Sequence, residues 1–201
     1  MRVVAVRHAR TGYNVEGRLQ GSLDVPLGPE GLEQAELIAK ALVAEYGTRL
    51  RVVTSPLARA SQTADAIARL VGTVAVADER VTQRSYGAWE GLTWDDVREQ
   101  WPAEYERRHD GYDPAIPGWG ASDEVGARVA SALVERCEAC ADDDVVVVVS
   151  HGSAIMLGVA HLMGMPLVPS RLGHLDHGSW NELTLTPEAG WRLTRYCVGG
   201  G

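Results

Sequence analysis

Five consecutive valines, Val145–Val149, constrain this chain more than any other stretch. A β-branched run without polar alternation fits a strand buried on both faces, and such a strand belongs in a parallel sheet covered by helices on each side. The chain's first apolar run, Val3-Val4-Ala5-Val6, has the same character, and Arg51–Thr54 reads as a third strand. Each run is followed by polar, chemically capable residues: Arg7-His8, Ser55 leading to Arg59, and Ser150-His151. Ligands of open α/β sheets bind just beyond the carboxyl ends of the strands. Two arginines and two histidines converging on such an edge point to chemistry on an anion, and phosphate is the commonest candidate.

The segments between these runs read as helices. Glu30–Tyr46 carries apolar residues at Leu32, Ala35, Ile38, Leu42 and Tyr46, the spacing of an amphipathic helix ending at Gly47. Ser55-Pro56 reads as the cap and first turn of a helix whose inner face is Ala60, Ala64, Ile67 and Val71. Thr93 and Asp96 are spaced as a capping box for a helix to about Gln100. Ser122 to about Ala141 forms a longer helix, with Cys140 on its inner face, and Gly152 to about Met163 another. Val74–Val76 reads as a strand, and Glu182–Thr186 with Arg192–Tyr196 as a final strand pair. The pattern predicts an α/β protein: a three-layer α/β/α sandwich with a mostly parallel central sheet. Residues 1–201 read as one domain, with 84–120, which hold Trp89, Trp94, Trp101 and Trp119, as a small cap insertion.

A formal net charge of −8 argues against a general nucleic-acid partner. No segment reads as a secretion signal or a membrane span, so cytoplasm is the expected location. Cys137 and Cys140 form C-x-x-C inside a helical pattern without a second pair, which reads as packing rather than zinc. The expected partner is a small phosphate ester, with a homodimer as the default assembly.

Six strings across the chain carry a resemblance: VVAVRHARTGYN, GRLQGSLDVPLGPEG, TSPLARASQTA, YGAWEGLTWDDV, VVVSHGSAI and HGSWNELTL. Together they resemble the histidine phosphatase superfamily, in its phosphoglycerate-mutase-like branch. The resemblance implies that His8 is a phosphorylated nucleophile and that Arg7, Arg59 and His151 clamp the phosphate. It also implies that Asn14, Arg10 and Thr11 contact phosphate from the first loop. No cofactor and no metal are implied. Two departures stand out. Gln83 occupies the position where the family's glutamate protonates the leaving oxygen, and Gln cannot transfer a proton usefully. Three explanations stay open: a substitution introduced to trap substrate, a donor role moved to Glu79, Glu90 or Asp24, or a weakly active phosphate-binding relative. The family's P-G-G-E-S string is Pro117-Gly118-Trp119-Gly120-Ala121 here, and Trp119 reads as a cap core residue. Arg107-Arg108 reads as a solvated helix face. The expected function is phosphomonoester hydrolysis through a phosphohistidine, with phosphoglycerate mutation as the alternative. The short chain favours hydrolysis, because a small cap admits water.

Overall fold

The computed structural model describes residues 1–141, 143–169, 172–188 and 190–199. In chain order the elements are β1 (Arg2–Arg7), α1 (Gly12–Val15), α2 (Pro29–Tyr46), β2 (Leu50–Thr54), α3 (Ala58–Val71), β3 (Val76–Ala77), α4 (Trp94–Gln100), α5 (Pro102–His109), α6 (Ser122–Glu138), β4 (Val145–Ser150), α7 (Gly152–Leu162), β5 (Trp180–Thr186) and β6 (Gly190–Val198). The sheet runs β3-β2-β4-β1-β5-β6. β1, β2, β3 and β4 are parallel, whereas β5 and β6 run antiparallel to their neighbours.

The valine run is the central strand, and its residues alternate between two cores. Val145, Val147 and Val149 join Val4 and Val6 of β1 against α2 and α3. Val146 and Val148 pack with Val3 of β1 on the opposite face, against α6 and α7. The three-layer sandwich expected from the apolar runs is therefore the observed architecture. Register then aligns the ends: Arg7 pairs with Ser150, and Thr54 with Val149. His8, Ser55 and His151 leave the sheet side by side.

Several boundaries differ from the sequence reading. Ser55 is not the helix cap: α3 begins at Ala58 after Leu57, and Ser55 Oγ accepts from Leu57 N at 3.3 Å and meets His151 Nε2 at the site described below. Leu32 lies on the exposed side of α2, whose buried face is Gly31, Ala35, Ile38, Ala39 and Leu42. Gly31 is needed there, since a Cβ would sit 2.0 Å from the Arg10 carbonyl oxygen. α6 stops at Glu138, with Cys137 rather than Cys140 in the core. The strand expected at Val74–Val76 shrinks to Val76–Ala77. The Thr93 capping box is formed as expected, with Thr93 Oγ1 accepting from Asp96 N and Asp96 accepting in return.

Residues 84–120 build a separate small core. Trp89, Val97, Ile116 and Leu19 are buried together, with Tyr86 and Trp119 against them. Trp89 meets Trp94 and Trp119 edge-to-face, at 6.1 and 5.4 Å between centroids. Among the described residues no helix is long and apolar enough to cross a membrane. Trp89→Ala should destabilise the protein by roughly 3–5 kcal/mol, the usual result of emptying a buried aromatic site; urea unfolding measures it, and a cost below about 1 kcal/mol would mean that this cluster does not organise the segment.

Candidate active site

A cavity of about 530 Å³ opens at the carboxyl edge of the parallel strands, and Arg7, His8, Asn14, Arg59 and Gln83 are among its lining residues. His8 follows β1 and is 3% exposed. Its Nδ1 lies 2.7 Å from the Ala9 carbonyl oxygen. A carbonyl only accepts, so Nδ1 carries the proton and Nε2 keeps its lone pair. Ala9 makes this contact without strain, because the only described non-glycine residue with positive φ is Cys197.

Two guanidinium groups flank this imidazole. Arg59, in the first turn of α3, donates from Nη1 to Leu23 O at 2.7 Å and from Nη2 to Gly21 O at 2.8 Å. Arg7 donates from Nη1 to Leu175 O and from Nη2 to His177 Nε2 at 2.7 Å. Neither arginine is neutralised by a carboxylate, and burial lowers each to about 10, so both stay charged at neutral pH. The Nε atoms of both are buried without a partner, and so is His151 Nδ1. His151 spends its other nitrogen on Ser55 Oγ at 2.9 Å. Its ring stands 5.1 Å from that of His8, edge-on. Buried unpaired donors are costly unless a ligand takes them up. The two arginine Nε–H groups are such donors, and α7 begins at Gly152 beside Arg7.

The structure adds His177 and His174, to which sequence reasoning assigned no role. His177 precedes β5, and β5 is antiparallel to β1, so the segment before it returns to the same edge. With Nε2 accepting from Arg7, His177 donates from Nδ1 to His8 O at 3.3 Å. It therefore ties the Arg7 guanidinium to the backbone of His8. His174 Nε2 lies 3.0 Å from Arg7 Nη1. The string HGSWNELTL was the available signal, but only an antiparallel placement gives it meaning.

Other expectations are redistributed. Asn14 lines the cavity and accepts from Thr11 N at 3.1 Å, holding the first loop closed. Thr11 is buried as the cap of α1 and does not line the cavity. Arg10 is exposed, and its backbone N donates to Gln34. Gln83 is at the cavity wall, with its side-chain oxygen accepting from Arg84 N at 3.0 Å. None of Glu79, Glu90 and Asp24 lines the cavity. Asp24 accepts from Ala58 N, and Glu90 accepts from Ser22 and Tyr86, tying the first loop to the aromatic segment. Trp119 stacks on Tyr86 and serves the small core, as expected. Arg108, read as part of a solvated face, is instead half-buried at the cavity; Arg107 remains exposed.

A family model described as the histidine phosphatase superfamily, branch 1, matches residues 3–198. The chain belongs to this superfamily. It is 32% identical over 191 residues to glucosyl-3-phosphoglycerate phosphatase of Mycobacterium tuberculosis, covering 91% of this chain and 85% of that protein. It is 31% identical over 186 residues to a probable phosphoglycerate mutase, GpmB, of Serratia proteamaculans, with 88% and 85% covered. A structure of the mycobacterial glucosyl-3-phosphoglycerate phosphatase with VO3 superposes with a TM-score of 0.88 at 31% identity, covering 98% of this chain and 99% of that one.

Burial holds His8 and His151 well below the ordinary 6.5, helped at His8 first by His151 and then by Arg59, His177 and Arg7, and at His151 by Arg59, Arg7 and Arg128. Burial and Arg7 lower His177 to about 3. Unfolded, all three titrate near about 6.5. The stability they contribute is complete above that pH and is lost as the pH falls from there towards the folded values. Urea unfolding of the ligand-free protein should therefore show stability dropping from about pH 7 to about pH 5, with millimolar phosphate opposing the drop by binding the folded state. A flat profile over that window would show that these imidazoles are not held neutral.

Proposed function

We propose that this protein hydrolyses small phosphomonoesters through a phosphohistidine at His8. The observation that carries this reading is the pair of buried, unpartnered guanidinium donors, Arg7 Nε and Arg59 Nε, beside an imidazole whose Nδ1 is tied to Ala9 O. In this reading Nε2 attacks phosphorus in line. The fixed cations hold the equatorial oxygens, where charge develops. His177 positions Arg7, Asn14 secures the first loop, and residues 84–120 cap the substrate end of the cavity. Water then attacks the phosphohistidine and releases phosphate. Hydrolysis rather than mutation is supported by the structural likeness to the mycobacterial phosphatase, at a TM-score of 0.88.

Quenched-flow assay with p-nitrophenyl phosphate should show a burst of nitrophenol matched by acid-labile phosphate on the protein. His8→Ala should abolish both, and failure of the wild type to become labelled would remove His8 as nucleophile. Arg59→Ala should lower kcat/KM by about 10²- to 10³-fold, as for loss of one preorganised donor to developing charge; a near-unchanged rate would take Arg59 out of the clamp. A bisphosphorylated primer should leave the rate unchanged, whereas a mutase would be activated by it.

A further inference from the structure

When a phosphate ester is cleaved, its departing oxygen must be met by a proton or by positive charge. Among the described residues no aspartate or glutamate lines the cavity. Gln83 offers an amide, which donates a hydrogen bond but gives up no proton. His177 has both ring nitrogens engaged, by Arg7 and by His8 O. His151 is fully buried, does not line the cavity and meets Ser55 Oγ through Nε2, and the Tyr86 hydroxyl is paired with Ser153 Oγ at 2.9 Å. His174 meets Arg7 through Nε2.

Guanidinium groups, in contrast, exceed what one phosphate needs. Arg18, Arg84 and Arg108 line the same cavity. Arg84 is 2% exposed and bound to Asp113 at 2.8 Å, and Arg18 is paired with Glu16. Arg108 makes no ion pair among the described residues. Arg84 and Arg108 lie 4.4 and 6.0 Å from the centroid of the Trp119 ring, close enough to repel one another. An anion developing beside them would relieve that repulsion.

We infer that the leaving group departs as an anion stabilised by Arg108 and its neighbours, so that the substrates are phosphate esters of acidic hydroxyls, aryl or enol phosphates, rather than of ordinary alcohols. This rests on His8 being the nucleophile. The Nε2 lone pair forms the N–P bond, and the P–O bonding pair leaves with the ester oxygen as phenolate or enolate, which takes its proton from bulk water. A water oxygen then attacks phosphorus, and the N–P pair returns to Nε2. Both hydrogens of that water leave with the product as dihydrogen phosphate.

The test is kcat/KM, which reports the first step, for substituted phenyl phosphates and for glycerol phosphate, with wild type, Gln83→Glu and Arg108→Gln. In the wild type the rate should climb as the leaving group becomes more acidic. Gln83→Glu should raise glycerol phosphate turnover by about 10²–10⁴-fold, the contribution of a general acid, while changing p-nitrophenyl phosphate little. Arg108→Gln should slow the aryl esters and steepen the dependence. A wild-type rate indifferent to leaving-group acidity, or equal acceleration of both ester types by Gln83→Glu, overturns the inference even with phosphohistidine formation intact. Should Gln83→Glu fail to fold, the wild-type series decides alone. Absence of phosphoenzyme with every ester would instead overturn the underlying reading of His8.

Discussion

The whole site depends on burial of a valine strand on both faces. Because β4 has no solvent side, helices must cover each face, and a sheet with helices on each face is built from parallel strands. Parallel strands end together, so Arg7-His8, Ser55 and His151 emerge along one edge without any loop having to carry them there. The imidazoles and guanidiniums are therefore held by the most rigid part of the molecule, where positional error is smallest.

Concentrating positive charge at that edge has an energetic cost, and the structure meets it with carbonyls rather than carboxylates. Arg59 is held by Gly21 O and Leu23 O, and Arg7 by Leu175 O and two imidazoles. Carbonyl acceptors fix a guanidinium without cancelling its charge, so the site remains attractive to an anion in a chain whose net charge is −8. The same field, with burial, keeps the histidines unprotonated, which is the form a nucleophile requires. Carboxylates near the cavity have other work. Glu90 joins the first loop to the aromatic segment. Asp113 gathers Arg84, Trp119 and Ser122. These two hubs tie residues 84–120 to the first loop and to the start of α6.

Much of this was legible from residues alone. The apolar runs identify the central strands, and the residues following them are His8, Arg59 and His151. The six family strings assign these residues their chemistry. Of the residues so singled out, Arg7, His8, Arg59, Asn14 and Gln83 line the cavity, and His151 lies buried behind it against His8. Other features were out of reach. That Ser55 serves His151 instead of capping α3 depends on a contact between residues 96 positions apart. Arg10 stays outside the cavity because its backbone is tied to Gln34 of α2, and Arg108 lines it because helix periodicity does not tell which side a neighbouring segment covers.

Local pattern determined the layers and the parallel core, because burial on two faces and strand ends are properties of short segments. Tertiary structure alone decided the rest. The reversal of β5 carries His177 back to Arg7, and the folding of residues 84–120 turns Arg108 inward while occupying Glu90 and Asp113 elsewhere. Those outcomes depend on strand direction and on which distant partner claims a charge first, and neither is encoded in the spacing of residues along a single element.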